Sequence, residues 1–94
     1  MDDATLGIKN PNADGVRIRI IGGFAGEQEL RVGPGSVGLT RVSHGRYRIR
    51  YQFERASQVF EGDGFDVGQG SMVTITLQRV AGGNYGSRGV SGPL

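Results

Sequence analysis

Hydrophobic and polar residues alternate without a break along one stretch of the chain, Arg46 to Phe53. Because successive side chains of a β-strand point to opposite faces, this pattern predicts a half-buried strand. The chain repeats the design at Val16 to Ile20, and a third stretch, Met72 to Gln78, alternates β-branched residues with polar ones. On the longest of the three strands the predicted core-facing side chains are Tyr47, Ile49, Tyr51 and Phe53.

Shorter apolar runs lie between these three strands, and no window shows the 3.6-residue period of an amphipathic helix. Turn signals recur every eight to twelve residues or so, which is typical of a two-sheet fold. The sequence therefore predicts an all-β fold: a small antiparallel β-sandwich of about seven strands, immunoglobulin-like or transthyretin-like. The additional candidate strands are Leu6–Ile8, Glu29–Val32, Val37–Val42, Gln58–Glu61 and Phe65–Val67.

Glycine is the strongest deviation in composition, with 18 glycines among 94 residues, against an average usage of about 7%. Most of these glycines fall between the apolar runs, where tight turns need residues that tolerate positive φ. Residues 1–81 are predicted to form a single domain. The segment 82–94 is rich in glycine and serine and offers few side chains to bury, so we expect a flexible tail or arm.

Cysteine is absent, so disulfides and thiolate metal sites cannot supplement the small core. The acidic start of the chain does not resemble a signal peptide, and no apolar stretch is long enough to span a bilayer. We expect a soluble polypeptide without a membrane span, and its compartment stays open. The net charge is +2, and ten of the eleven cationic side chains are arginines, which hints at an anionic or carboxylate-bearing partner.

Three stretches of the sequence resemble the small β-sandwich modules of the PEGA and carboxypeptidase-regulatory-like families. They are Pro34-Gly35-Ser36 through Leu39, the run His44-Gly45-Arg46-Tyr47-Arg48-Ile49, and Phe65-Asp66-Val67 to Val73-Thr74-Ile75-Thr76-Leu77. The shared features are a glycine turn that leads into a Gly-x-Tyr-x-Ile strand, and an alternating closing strand. The resemblance covers about residues 16–78. It implies a non-catalytic accessory or adhesion module and transfers no catalytic residues to this chain.

Residues that could support catalysis or bind a metal are few. The single histidine, His44, lies in a predicted turn without an identifiable acid partner, so we expect a surface residue and no enzyme. The acidic run Glu61 to Asp66 matches a calcium loop only in part, because a second acidic cluster is missing. A charged hairpin turn accounts for this run, and we predict neither a metal site nor a cofactor. The glycine pairs do not lead into a helix, so they do not predict a phosphate-binding loop.

The arginines of the two longest alternating strands are the best candidates for a binding site. Guanidinium groups about 7 Å apart along a strand could bind carboxylates or phosphates, and two neighbouring strands would join their arginines into a patch. An alternative is that the row is an ordinary solvated face, neutralised by cross-strand acids such as Glu29 or Glu54. The predicted patch comprises Arg17, Arg19, Arg46, Arg48 and Arg50.

We expect a structural or protein-interaction module that assembles with a protein partner or with its own copies, as in virion, filament or cell-surface accessory proteins. The arginine patch, a free sheet edge and the C-terminal arm, with Tyr85 and Arg88, are the predicted contacts. The alternative is a polyanion binder for nucleic acid or acidic glycan. It is less favoured, because RNA-binding sheets present aromatic and cationic side chains on the same face, whereas here they have opposite parity.

Overall fold

The structure is a computed structural model, and it describes residues 3–23, 26–77, 87–90 and 94. The described residues contain no helix that is long and apolar enough to cross a membrane. They form nine β-strands, in order β1 (Ala4–Asn10), β2 (Val16–Gly22), β3 (Gly26–Val32), β4 (Ser36–Val42), β5 (Gly45–Phe53), β6 (Val59–Gly62), β7 (Phe65–Val67), β8 (Met72–Thr76) and β9 (Ser87–Val90).

The strands form two sheets, which confirms the predicted all-β sandwich. Sheet A has the order β4-β1-β8, and sheet B has the order β3-β2-β5-β6-β9, with β7 paired to β5 beside β6. All pairs are antiparallel except β1 with β8, which is parallel. The eight strands that the sequence predicts are all present. The ninth strand, β9, lies within the predicted arm and pairs with β6.

The core lies between the two sheets. It consists mainly of the inward-facing apolar side chains of β1, β2 and β5. On β5 the alternation is as predicted, because Tyr47, Ile49, Tyr51 and Phe53 are buried. Tyr51 is central, since its ring packs edge-on against Phe53 at 6.0 Å and stacks with Phe60 at 5.6 Å between centroids. This strand therefore organises the core through one face and presents its arginines on the other.

One side of the sandwich is closed by the approach of β3 to β4. The Oγ1 of Thr40 and the Oε1 of Gln28 lie 3.3 Å apart across this corner. A Cβ at Gly38 would lie 2.8 Å from Cγ2 of Val32, so the two sheets meet where only glycine fits. The chain turns between β3 and β4 at Gly35, whose φ of 67° favours glycine.

On the other side of the sandwich the sheets have unequal width. A turn from Gly68 to Ser71, closed by a 3.1 Å backbone hydrogen bond, carries the chain from β7 in sheet B to β8 in sheet A. Sheet A ends at β8 in the described part of the chain, whereas sheet B continues from β5 to β6 and β9. The inner face of β6, which carries the half-buried Phe60, therefore lies at the wider and less covered side.

Candidate interaction surfaces

The predicted arginine patch forms on the outer face of sheet B, because β2 and β5 are neighbours. In their antiparallel register Arg19 lies opposite Arg50, and Arg17 lies opposite Gln52, which confirms the predicted adjacency. Arg17, Arg46 and Arg48 are exposed, and Arg19 and Arg50 are half-buried. The strands thus bring all five predicted arginines onto a single surface, which we call the arginine face.

Carboxylates on the same surface neutralise most of this face. The sequence-based alternative named Glu29 and Glu54 as partners, and both form ion pairs, Glu29 with Arg17 and Glu54 with Arg31. Three pairs have N···O distances of 2.9, 3.2 and 2.9 Å: Arg17 with Glu29, Arg46 with Asp66 and Arg50 with Glu61. Because like charges are interleaved with opposite ones, the face is mixed in sign and is not a uniform cationic patch.

Two arginines of this face differ from the rest. Among the described residues, Arg19 and Arg48 have no carboxylate within ion-pair distance. Arg48 borders an open cleft of about 410 Å³, where Ile21 and the Gly62–Gly64 loop line the same space. β6 pairs with β5 at Arg50 and Tyr51, and β7 pairs with β5 from Gly45 to Tyr47. The cleft lies at the gap between these two pairings, beside Arg48.

The predicted contacts in the C-terminal arm lie only partly within the described residues. Tyr85 is outside them. Arg88 lies in β9 and is the register partner of Glu61 in β6. Leu94 is buried, with 7% of its surface exposed. The backbone of residues 87–90 thus continues sheet B beyond β6.

The outer face of sheet A has a different chemistry, and we call it the threonine face. Threonines and glycine occupy its centre, at Thr5, Gly7, Thr74 and Thr76. Among the described strand residues of this face, the charged ones are Lys9 and Arg41, and both are cationic. Three large apolar side chains are more than half exposed on it: Val37 at 53%, Leu39 at 58% and Met72 at 59%.

Two of these apolar side chains meet above Gly7, in the middle strand. A Cβ at Gly7 would lie 3.1 Å from Cδ2 of Leu39 and 3.7 Å from Cε of Met72. Leu39 comes from β4 and Met72 from β8, so the two side chains approach the middle strand of sheet A from its two sides. Contiguous exposed apolar surface, unlike single exposed residues, marks contact sites with other molecules.

Sequence patterns did not identify the threonine face, because β4 has an unusual parity. Its apolar residues Val37 and Leu39 face outward, and Gly38 and Thr40 face inward, where the sheets approach too closely for larger side chains. A hydrophobic pattern alone would place Val37 and Leu39 in the core. The inward glycine between two outward apolar residues was the available signal.

His44 has an acid partner that the sequence did not reveal. The carboxylate of Asp3, before β1, accepts a hydrogen bond from the His44 backbone N–H at 2.8 Å, and its other oxygen lies 2.7 Å from Nδ1. The hydrogen bond to the His44 side chain holds the pKa of Asp3 below its usual value. The pair ties the residue before β1 to the β4–β5 connection.

The acidic run Glu61 to Asp66 extends from β6 into β7, and its carboxylates make separate contacts. Glu61 is buried against Arg50, and Asp66 pairs with Arg46. Among the described residues, no group of three histidine, aspartate or glutamate side chains is arranged to hold a metal ion.

Comparisons with protein-family models, with curated proteins and with solved structures found no match. The resemblance to PEGA and carboxypeptidase-regulatory-like modules stays a prediction.

Proposed function

We propose that this chain is a non-enzymatic structural and protein-interaction module that docks to protein surfaces through sheet A. The observation that supports this function is the set of three largely exposed apolar side chains on one face of sheet A, Val37, Leu39 and Met72. Burying such side chains against a partner is favourable by about 25 cal/mol for each Å² removed from water. The flat surround of threonine and glycine lets another protein approach closely, and the absence of carboxylates among the described strand residues of this face favours a partner with acidic groups at its rim.

The ion pairs of the arginine face count against the alternative of a polyanion binder. Nucleic acid or acidic glycan would have to compete with Glu29, Glu61 and Asp66 for the guanidinium groups. Such binding depends on the release of counterions and falls steeply as salt rises. We therefore expect heparin and single-stranded DNA to bind weakly. Micromolar affinity that collapses with added salt would support the polyanion function in place of ours.

Photo-crosslinking from the two faces tests the proposal. A benzophenone amino acid is placed at Leu39 on the threonine face or, as matched control, at Arg48 on the arginine face, in the full chain expressed in cells. Both positions are exposed strand residues, so neither change disturbs the core. We expect protein adducts from position 39 and few from position 48. Adducts from position 48 alone, equal adducts from both positions, or none from either would contradict docking through sheet A.

A further inference from the structure

We propose that the cleft beside Arg48 binds a small monocarboxylic acid, whose carboxylate pairs with the Arg48 guanidinium. The volume of the cleft, about 410 Å³, is near the lower end of the range for small-molecule sites, about 300–1,000 Å³. The cleft opens on the arginine face, which is on the opposite outer side of the sandwich from the threonine face. The inference therefore goes beyond docking through sheet A and does not depend on it.

An irregularity in the pairing of β5 provides the space for this ligand. The pairing of β6 with β5 ends at Arg50, and the pairing of β7 with β5 begins at Tyr47. The two β5 residues between these positions face three residues, Gly62–Gly64, so the opposite strand has one residue more than a regular ladder. Such a bulge bends its strand and is common next to active sites. Two of the three residues are glycines, which leave the cleft open.

The two arginines that line the cleft differ in their contacts. Arg46 pairs with Asp66, with an N···O distance of 3.2 Å. Its guanidinium also lies against Gly64, where an added Cβ would be 2.9 Å from Nη2 of Arg46. Arg48 is exposed, and no carboxylate of the described residues lies within ion-pair distance of it. An anion that enters the cleft therefore meets one available guanidinium.

The two acids that line the cleft are already engaged. Glu61 is buried and accepts a 2.9 Å hydrogen bond from Nε of Arg50. Asp63 has an interaction partner as well. The positive charge of Arg48 is thus left to a ligand, and one such charge matches one carboxylate. A guanidinium binds a carboxylate through two parallel N–H···O hydrogen bonds, which fixes the orientation of the ligand.

An apolar side chain lies beside this guanidinium. Ile21 of β2 is the register partner of Arg48, is half-buried, and lines the same cleft. The Cβ atoms of directly opposite residues in an antiparallel pair are about 4.5–5.5 Å apart. A carboxylate bound to Arg48 therefore brings the carbon chain of the ligand against Ile21. Since burial of methyl groups is favourable, the cleft should prefer a branched aliphatic acid to acetate.

Titration of the full chain with isovalerate, followed by amide NMR at constant ionic strength, tests the site. We expect saturable shifts at Ile21, Arg48 and Gly62–Gly64, which line the cleft. Acetate should bind at least about fourfold more weakly, the factor for one buried methylene. Isovaleramide, which has the same shape without the charge, should give no saturable shift. No saturation with isovalerate, or equal shifts with the amide, would overturn the proposal.

Two arginine variants test whether the charge of Arg48 itself is required. Arg48→Gln should raise the dissociation constant of isovalerate about tenfold or more, because charge-assisted hydrogen bonds are lost. The matched control is Arg19→Gln, which removes another arginine of the same face that has no carboxylate within ion-pair distance among the described residues. Arg19 does not line the cleft, so the dissociation constant should stay within about twofold. Unchanged binding in Arg48→Gln, or equal losses in both variants, would contradict a site at Arg48.

A peptide separates a small acid from the end of a partner chain as the source of the carboxylate. Acetyl-Gly-Gly-Val with a free C-terminus presents the same branched group and carboxylate on a peptide. We expect it to bind no more tightly than isovalerate, because the cleft is small. Binding more than about tenfold tighter would assign the site to a protein C-terminus and overturn the small-acid ligand. None of these outcomes bears on crosslinking from Leu39, which tests docking through sheet A separately.

Discussion

The two outer faces of the sandwich are both exposed to solvent, but their side chains differ in charge and polarity. The arginine face carries many charges, and most of its arginines are paired with carboxylates on neighbouring strands. The threonine face carries few charges, and it leaves Leu39 and Met72 more than half exposed. Strong charge therefore does not identify a binding surface by itself, because a charged face can be internally neutralised. Burial against a partner would remove more apolar surface from water on the threonine face than on the arginine face.

The largest effect should come from the buried carboxylate of the arginine face. The Glu61 side chain is 8% exposed and accepts a 2.9 Å hydrogen bond from Nε of Arg50. We expect Glu61→Ala to lower the free energy of unfolding by about 2 kcal/mol, because a buried charge-assisted hydrogen bond is lost. Urea unfolding measures the change. Glu61→Gln, which keeps an acceptor, should lose about half as much, and an unchanged midpoint in both variants would show that the pair is not structural.

An exposed pair on the same face should contribute much less. The Arg17 and Glu29 side chains are 50% and 49% exposed, so solvent screens their attraction. Arg17→Gln should cost about 0.2–1 kcal/mol, and the cost should shrink as salt is added. Thermal unfolding at low and high salt provides the measurement. A loss as large as that of Glu61→Ala would mean that exposed ion pairs hold this sheet together.

On the threonine face, one substitution should change the hydrophobicity of the surface and leave the free energy of unfolding almost unchanged. Leu39→Ser should change the free energy of unfolding by no more than about 0.5 kcal/mol, because the side chain is largely in solvent already. Retention on a hydrophobic-interaction column should fall clearly. Arg48→Ser on the arginine face is the matched control and should leave retention almost unchanged. Equal shifts in the two variants would remove the distinction between the faces.

The smallest effect should be the pH dependence of the Asp3–His44 contact, which is exposed. The pKa of Asp3 is lower in the folded chain than its ordinary value, since His44 donates hydrogen bonds to the carboxylate. The contact therefore stabilises the fold above about pH 4, the ordinary range for aspartate, and this contribution is lost as pH falls through the lowered value. Melting temperatures of the unmodified chain and Asp3→Asn should differ near pH 5 and converge in stronger acid. A constant difference over this range would contradict the assignment.

Sequence patterns predicted the parts of the fold in which one face is strictly apolar. The parity of β5 follows from the alternation of Tyr47, Ile49 and Tyr51 with arginines, since a register shift would bury the charges. The strand order does not follow from this pattern, and the structure shows that β2 is the neighbour of β5. The ion pairs could not be predicted without the strand register, because Glu29, Glu61 and Asp66 lie far from their arginines in sequence. The threonine face escaped prediction because Gly38 occupies the inward position on β4. That position depends on the approach of β3 and β4, a tertiary contact.

The sequence also did not predict the strand β9 within the C-terminal arm. Few residues from 82 to 94 can bury surface, and yet Ser87–Val90 pairs with β6 through its backbone. Main-chain hydrogen bonds place little demand on side chains, so composition gives a weak signal for an edge strand of this kind.

A dilution series followed by two-dimensional amide NMR tests most directly which face of the protein makes contacts. Each strand residue then reports separately as copies associate. We predict concentration-dependent shifts or broadening on the threonine face, around Leu39 and Met72, with Arg19 and Arg48 on the arginine face unaffected. Changes centred on Arg19 and Arg48, or a spectrum that does not depend on concentration, would contradict association through sheet A.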